Sequence, residues 1–318
     1  MVPVPVTVVG GFLGAGKTTL INRVLGEPHG LAIAVIVNDI GSVDIDAQLL
    51  TEIGANVVRI NNGCVCCSMR TDLVTQVAAL AAEQRYDRIV IETSGISEPG
   101  NVIRGLRYPR LCGKVSDASV ITIIDAEYFP RLAGDLRYLA HEQLAAADVV
   151  LLNKSDLVSS EQLKSVTLQC ACPGLTIVEC RHADVPLDVI FCAGNSANRD
   201  YAPPNHEKSS SEIFESRTWE PNGPVSLTFL REALDALPAS VVRVKGFVES
   251  HDTGDCWLIQ RAGSRVSLIK TASKHAPALV LIARRSRIDW CTCIGSLNSC
   301  VDIANCRGMR NAPSGTIG

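Results

Sequence analysis

Short apolar runs alternate with helix-like segments from residue 4 to about residue 192, and this alternation constrains the fold more than any other feature. The runs are rich in Val and Ile, as buried strands are, and cover residues 4–9, 32–38, 57–60, 88–92, 118–125, 149–153 and 176–179. The helix-like segments include residues 18–25, 73–85 and 136–146. Hydrophobic residues make up 47% of the chain but aromatic ones only 4%, which suits parallel strands buried on both faces by aliphatic side chains. The sequence therefore predicts an α/β fold with a mostly parallel sheet flanked by helices.

A change in composition marks the end of this pattern. Residues 196–224 contain two adjacent prolines, three consecutive serines and a Pro-Asn-Gly-Pro sequence, so we interpret them as a linker after a first domain at 1–195. A helix-like segment and four strand-like runs follow, at residues 227–237, 241–248, 256–260, 266–269 and 278–283. They predict a smaller α+β domain at 225–287. Residues 288–318 contain four cysteines with little periodicity, and we interpret them as an atypical chain end.

The segment after the first predicted strand fits the pattern G-x-x-x-x-G-K-[ST] at every fixed position, from Gly11 to Thr18. Its glycines allow backbone amides to point inward around phosphate groups, and the helix that begins here adds its positive end. We expect Lys17 to reach the β- and γ-phosphates of a nucleotide and Thr18 to ligate Mg²⁺. The predicted nucleotide-binding residues of this P-loop are Gly11, Gly14, Ala15, Gly16, Lys17, Thr18 and Thr19.

A second motif, at the end of the strand predicted over 149–153, concerns the base of the nucleotide. Residues 153–156 read Asn-Lys-Ser-Asp and resemble the guanine-reading motif of GTPases, which assigns base binding to Asn153, Lys154 and Asp156. A carboxylate at Asp156 accepts hydrogen bonds from both N1–H and the exocyclic amine of guanine. Adenine offers no such pair of donors, so the motif predicts discrimination in favour of GTP.

A third strand ends in a carboxylate. The apolar run at residues 89–91 leads into Glu92, which has the form of a Walker B acid near Mg²⁺ or its waters. Gly95 follows closely, and we expect its backbone amide to lie near the γ-phosphate.

Three cysteines stand within four residues, at Cys64, Cys66 and Cys67, between a predicted strand and a predicted helix. Thiolates at this spacing can converge on one soft cation, so the motif predicts a transition-metal site. The other cysteines are scattered, and we interpret a group of them as small buried hydrophobic residues rather than ligands, namely Cys112, Cys170, Cys192 and Cys256.

These motifs occur together and in order, and the chain resembles the CobW-type GTPases of the SIMIBI class, relatives of the urease and hydrogenase nickel chaperones. Residues 243–248, Arg-Val-Lys-Gly-Phe-Val, resemble a stretch of the CobW C-terminal domain, and the resemblance covers about residues 4–284. It implies a GTP-hydrolysing metallochaperone or metal insertase that delivers Zn²⁺, Co²⁺, Ni²⁺ or Fe²⁺ to a client metalloprotein. It further implies that Asp39 and Gly95 sense the γ-phosphate while Cys64, Cys66 and Cys67 hold the metal. We expect a monomer or a nucleotide-dependent dimer.

The chain departs from the family in switch I, which usually reads Asn-Glu-Phe-Gly-Glu. Here residues 38–42 read Asn-Asp-Ile-Gly-Ser, so that Asp39 keeps a carboxylate and Ser42 loses the second one. Asp44 or Asp46 could take its place. In the last guanine-side loop, the family's small hydroxyl residue is replaced near Cys180.

Composition gives no sign of a nucleic-acid or membrane partner. The net charge is −3 without a long run of like charges, so no nucleic-acid partner is expected. The chain lacks an apolar run of about 18 residues and a signal-peptide pattern at its start, so we expect no membrane span and a cytoplasmic location. Thirteen cysteines in that setting favour metal or redox chemistry over disulfides.

Two other functions remain open at this point. A P-loop small-molecule kinase would share residues 11–18 but would need an acceptor site and a lid, and residues 153–156 argue against it. A GTP-binding metal sensor or storage protein with little hydrolysis is compatible with the loss of a carboxylate at Ser42.

Overall fold

The computed structural model describes residues 2–37, 56–59, 68–97, 99–172, 174–191, 213–263, 265–271, 275–285 and 288–310. These residues form two compact units, one up to residue 191 and one from residue 213 onward. In the described part of the chain, no helix is both long enough and apolar enough to cross a bilayer.

The first unit is built on a parallel sheet in the order β3-β2-β4-β1-β5-β6-β7. The strands are β1 (Val4–Gly11), β2 (Ile33–Val37), β3 (Asn56–Arg59), β4 (Arg88–Glu92), β5 (Val115–Asp125), β6 (Val149–Asn153) and β7 (Thr176–Glu179). The helices are α1 (Lys17–Gly26), α2 (Ser68–Ala82), α3 (Pro99–Leu106), α4 (Asp135–Ala145), α5 (Ser160–Cys170) and α6 (Leu187–Phe191). The predicted parallel α/β fold is confirmed.

Both faces of this sheet are covered, because successive side chains of a strand point to opposite sides. Val6 and Val8 pack in one hydrophobic cluster with side chains of α2 and α3. Val9 packs in another, with Leu20 and Ile21 of α1. Burial of β1 on both sides explains its nearly continuous apolar sequence.

The strands end together at one edge of the sheet. Val9 pairs with Glu92, Gly11 pairs with Ile123, and Asp125 pairs with Asn153. In a parallel sheet this alignment brings the residues that follow each strand to one place, where α/β proteins bind their ligands. Motifs far apart in sequence therefore meet at the carboxyl edge of the sheet.

The second unit is an antiparallel sheet in the order β11-β10-β9-β12-β8. Its strands are β8 (Phe214–Trp219), β9 (Val241–Glu249), β10 (Cys256–Ala262), β11 (Arg265–Lys270) and β12 (Ala278–Arg284), and its helices are α7 (Leu227–Ala236) and α8 (Trp290–Arg310). Leu230 and Leu234 of α7, four residues apart, are fully buried in its core. This unit has the α+β composition predicted for the C-terminal domain.

The structure corrects the sequence analysis at two places. Residues 214–219, assigned to the linker, form β8 along the edge of β12, and the polar residues at 215–218 concealed this strand from a pattern search. The supposed irregular chain end contains α8, whose residues Cys293, Leu297, Cys300 and Val301 are buried in the core of the second unit. These positions follow the spacing i, i+4, i+7, i+8, so cysteine acts here as a small hydrophobic residue that completes an amphipathic helix.

Candidate functional site

The P-loop joins β1 to α1 through a turn whose backbone conformation requires glycine at two positions. Gly11 and Gly16 have φ values of 131° and 121°, which side-chain-bearing residues rarely adopt. A Cβ at Gly16 would lie 2.5 Å from Nδ2 of Asn153, and one at Gly11 would meet the carbonyl oxygen of Ile123. The glycines therefore give the loop both its shape and its close contact with β5 and β6.

Lys17, the first residue of α1, is only 5% exposed. Its Nζ donates hydrogen bonds to the carbonyl oxygens of Gly11 at 2.9 Å and Phe12 at 3.2 Å, within the loop itself. An ammonium held against the inner side of this loop is placed to bind the phosphates of a nucleotide that the loop encloses.

Thr18 and Glu92 meet across the site although 74 residues separate them in sequence. The hydroxyl of Thr18 donates to Oε1 of Glu92 at 3.2 Å, and Glu92 is 4% exposed at the end of β4. A hydroxyl and a carboxylate oxygen beside a phosphate-binding loop are hard donors of the kind that Mg²⁺ prefers. The two residues therefore fit the magnesium site that the sequence predicts.

The turn after β4 packs directly against the P-loop. A Cβ at Gly95 would lie 2.5 Å from Cδ2 and 2.8 Å from the backbone nitrogen of Leu13, so any larger residue would push the two segments apart. The position that the sequence predicts to sense the γ-phosphate thus contacts the loop that binds it.

Asn153 joins three segments of the site and is 2% exposed. Its Nδ2 donates to the carbonyl oxygen of Ala15 at 2.8 Å, and its Oδ1 accepts from the backbone nitrogen of Ala183 at 2.9 Å. The thiol of Cys180 lies 3.7 Å from the same oxygen. Asn153 therefore ties the P-loop to the loop after β7.

Cys180 lies in the loop after β7 beside Asn153, and its environment determines the state of its thiol. It is buried, and burial, with a smaller effect of Asp184, raises the pKa of its thiol to about 11. The protonated S–H can therefore serve as a weak donor to Asn153. The backbone carbonyl of Cys180 accepts from the nitrogen and the hydroxyl of Ser155 at 3.1 and 2.9 Å.

Lys154 has a left-handed conformation, with φ 60° and ψ 33°. Its Nζ donates to the carbonyl oxygen of Gly14 at 2.8 Å and to Oδ2 of Asp125 at 2.6 Å. Asp125 also accepts from the backbone nitrogens of Glu127 and Tyr128 at 3.0 and 3.1 Å. The lysine thus links the P-loop to the end of β5.

Asp156 is exposed in the short helical turn Ser155–Leu157. Ser155 anchors the start of this turn to Cys180, while the Asp156 carboxylate remains accessible from solvent. The residues of the motif therefore have different roles. Asn153 and Lys154 form hydrogen bonds to the P-loop, whereas Asp156 is exposed and accessible to a ligand.

Two residues of the site were missed by sequence reasoning. Asp125 ends β5 with a carboxylate, a signal equal to the one that revealed Glu92, and it pairs with Lys154. Gln143 lies inside α4, is fully buried, and contacts the turn at Gly95. A single glutamine in a helix carries no motif, so only the structure could reveal it.

The predicted metal-binding residues Cys64, Cys66 and Cys67, and Asp39 of switch I, lie outside the described residues. Within the residues that the structure does describe, no group of three His, Cys, Asp or Glu side chains is placed to hold a metal ion. The strand that precedes the cysteine segment is described, and Arg59 at its end pairs with Val37, which pairs with Glu92 on its other side. With neighbouring strands about 4.8 Å apart, β3 ends about 10 Å from Glu92.

The scattered cysteines follow the prediction only in part. Cys170 is buried and Cys256 half-buried, whereas Cys112 is exposed in the turn before β5, so the prediction of burial was wrong there. Cys192 lies outside the described ranges.

The P-loop, the carboxylate at the end of β4 and the guanine-reading motif meet at the carboxyl edge of a parallel sheet, and together they define a P-loop GTPase domain. Residues 5–172 match the family model described as CobW/HypB/UreG, nucleotide-binding domain. Residues 214–301 match the Cobalamin synthesis protein cobW C-terminal domain. The protein belongs to the CobW family of GTPases, as its sequence motifs indicated.

Two relatives with similar sequences agree with this assignment. The chain is 30% identical over 282 residues to "Zinc chaperone CobW" of a Sinorhizobium species, covering 78% of this chain and 79% of the relative. It is 33% identical over 230 residues to "Zinc-regulated GTPase metalloprotein activator 1" of Dictyostelium discoideum, covering 60% and 48% of the two chains. Among solved structures, Zn(II)-bound YjiA GTPase from E. coli aligns with a TM-score of 0.48 at 22% identity, over 94% of this chain and 99% of that one.

Proposed function

We propose that the protein hydrolyses GTP in order to load and release a transition-metal ion, with zinc as the first candidate, at Cys64, Cys66 and Cys67 for delivery to a client metalloprotein. The observation that carries the proposal is the strand register at the carboxyl edge. Strand β3, the last described strand before the cysteine segment, ends about two strand spacings from Glu92 and therefore close to the predicted magnesium site. A change in the phosphates could therefore reach the thiolates over a short path.

The phosphate-binding half of the cycle uses the residues that surround the P-loop. Lys17 exchanges its contacts with the loop carbonyls for the β- and γ-phosphates, while the loop amides surround them. Thr18 and Glu92 would hold Mg²⁺, which when bound neutralises charge that develops on the phosphate oxygens. The backbone amide of Gly95 donates a hydrogen bond to the γ-phosphate, and Asp39 in switch I senses the same phosphate.

Hydrolysis removes the group that Gly95 and Asp39 sense. The switches then relax, the arrangement of the three thiolates loosens, and the ion passes to the client. We expect slow intrinsic turnover, on the order of 10⁻³ s⁻¹, because the site lacks a recognisable activating Gln or Arg among the described residues. A client or the metal itself would accelerate it.

Zinc is favoured as the first ion to test because thiolates bind it well in tetrahedral sites. The relatives named above are described as a zinc chaperone and a zinc-regulated GTPase, which agrees with this choice. Co²⁺, Ni²⁺ and Fe²⁺ remain the other candidates. We place the activity in the cytoplasm, where thiols stay reduced, and expect a monomer or a nucleotide-dependent dimer.

The test measures GTP hydrolysis and metal affinity under reducing conditions, with Mg²⁺ and each of Zn²⁺, Co²⁺, Ni²⁺ and Fe²⁺. Wild type is compared with a variant in which Cys64, Cys66 and Cys67 are all replaced by Ala. The matched control replaces three exposed cysteines instead, at Cys112, Cys172 and Cys291. We expect metal-dependent turnover, or nucleotide-dependent metal affinity, that disappears in the first variant and persists in the control.

Two results would contradict the proposal. GTP turnover that responds neither to metal nor to the three cysteines would leave a GTPase without the metal function. We expect Lys17→Ala to hydrolyse GTP at least about 100-fold more slowly than wild type. A wild-type rate in this variant would show that the P-loop does not bind the phosphates as proposed. Single-turnover hydrolysis by the wild type also separates this function from a sensor or storage protein, for which it would be negligible.

A further inference from the structure

The turn that follows β4 is held from within the fold. The backbone nitrogen of Ser97 donates to the carbonyl oxygen of Ser94 at 2.9 Å and closes a turn with Gly95 and Ile96 at its centre. Ile96 is 1% exposed, and Gly95 lies against Leu13 of the P-loop. One side of the turn therefore rests on the phosphate-binding loop.

Gln143 of α4 holds the turn by its backbone. The side chain is fully buried, and its Nε2 donates to the carbonyl oxygen of Ser97 at 2.9 Å and to that of Gly95 at 3.3 Å. One amide group thus binds the two peptide carbonyls on either side of Ile96. Displacement of Gly95 relative to α4 would stretch or break these bonds.

The position of Gln143 is itself set by the central sheet. Its backbone carbonyl oxygen accepts from the hydroxyl of Thr122 at 2.8 Å, and Thr122 of β5 pairs with Gly10 at the end of β1. The helix that carries the glutamine is therefore hydrogen-bonded to a strand next to the one that leads into the P-loop.

A glutamine here is unfavourable for packing alone. Its Oε1 is buried and has no hydrogen-bond partner among the described residues. A buried acceptor without a partner destabilises a fold, and an apolar side chain of similar size would avoid that cost. The two hydrogen bonds that Gln143 donates to the turn offset this cost.

We propose that Gln143 is a positioning residue for GTP hydrolysis, which acts by holding the turn so that the amide of Gly95 stays in place for the γ-phosphate. The inference rests on the proposed role of Gly95. GDP lacks the γ-phosphate, so the contribution of Gln143 is confined to GTP and to the transition state. Loss of the two hydrogen bonds from Gln143 to the turn therefore lowers the rate of hydrolysis and the preference for GTP over GDP, while GDP binding is retained.

The test uses Gln143→Met, which keeps the volume and removes both donors. We measure single-turnover GTP hydrolysis, dissociation constants for GDP and a non-hydrolysable GTP analogue, and the thermal unfolding midpoint. The expected result is a 10- to 100-fold slower reaction, since a small misplacement outside the chemistry can cost about 100-fold. The GDP dissociation constant should change less than about twofold.

Ser119→Ala is the matched control, because it removes the buried hydrogen bond from Ser119 of β5 to Thr7 of β1, which involves neither Gln143 nor the turn. We expect it to lower the unfolding midpoint and to leave hydrolysis within about twofold of wild type. If Gln143→Met is insoluble, Gln143→Asn replaces it, because its shorter side chain keeps an amide that cannot reach both carbonyls. That variant should lose rate while it retains GDP binding.

Three results would overturn the inference: wild-type hydrolysis by Gln143→Met, an equal loss of GDP and GTP affinity, or the same slowing in Ser119→Ala. A wild-type protein that fails to hydrolyse GTP would instead contradict the proposed function, so the two failures are distinguishable.

Discussion

Asn153 and Asp156 stand three residues apart in one motif, yet their environments differ completely. Asn153 is buried and bonds to Ala15 and Ala183, whereas Asp156 is exposed at the end of the site. Replacement of Asn153 therefore acts on the fold of the site, because it leaves a backbone carbonyl and a backbone N–H without partners. We expect replacement of the exposed Asp156 to act on nucleotide binding alone.

We expect Asp156→Asn to weaken GTP binding by about 100-fold or more without loss of stability. Guanine presents two donors here, N1–H and the exocyclic amine. The side-chain amide of Asn has only one oxygen to accept from them, and its own NH₂ group faces the other donor, which is repulsive. Xanthine carries a carbonyl in place of that amine, so the variant should gain affinity for XTP. Competition with a fluorescent nucleotide measures both effects.

Asp188→Asn, at an exposed position on α6, provides the control and should bind GTP as wild type does. Unchanged GTP affinity in Asp156→Asn would mean that residues 153–156 do not read the base.

At the scale of elements, β9 shows why the stretch Arg-Val-Lys-Gly-Phe contains a glycine. Gly246 lies between β10 and β12, opposite Ile259 on one side and Leu279 on the other. A Cβ there would lie 2.7 Å from Cα of Leu279 and would also meet the carbonyl oxygen of Ala278. The sheet of the second unit can keep this register only if the residue has no side chain.

Gly246→Ala should therefore destabilise the protein by about 3 kcal/mol, because the backbone of β12 would have to shift to make room. Chemical denaturation followed by circular dichroism measures the change in free energy of unfolding.

Gly295→Ala is the matched control. Gly295 lies on α8 with no atom within 4 Å of an added Cβ, so this substitution should stabilise by about 0.5–1 kcal/mol. Equal effects of the two substitutions would show that the close approach at Gly246 does not limit stability.

At the scale of the whole molecule, the cysteines fall into chemically distinct groups. Cys170, Cys180 and Cys300 are buried, and burial raises the pKa of their thiols to about 12, 11 and 11. Cys112, Cys172 and Cys291 are exposed. Since the thiolate is the reactive form, the folded protein protects the first group from alkylation.

We expect brief iodoacetamide treatment at pH 8, followed by peptide mass spectrometry, to modify Cys172 at least about tenfold faster than Cys170. The two residues are neighbours at the end of α5, so they form an internal comparison. Zn²⁺ should protect Cys64, Cys66 and Cys67 from the reagent without changing the rate at Cys172. Equal labelling of Cys170 and Cys172 in the folded protein would contradict the burial on which this prediction depends.

Much of the fold could be predicted because its signals are local. Strands β4, β6 and β7 have the bounds expected from their apolar runs, and α1 begins within one residue of its prediction. Edge strand β8 was missed because pairing with β12, rather than its own pattern, makes it a strand. Helix α8 was missed because its core positions include cysteines, which did not register as an apolar pattern, so the segment was interpreted as an atypical chain end.

By itself the sequence determined the α/β class and the family, and it predicted the P-loop, Glu92 and residues 153–156 as site residues, because each motif is a short run whose chemistry depends on its own spacing. Only the tertiary structure decided which residues support them. Strand register brings Thr18 to Glu92, Lys154 to Asp125 and Gln143 to the turn at Gly95. Such contacts join positions tens of residues apart, and no local pattern records a hydrogen bond that exists only after the sheet has formed.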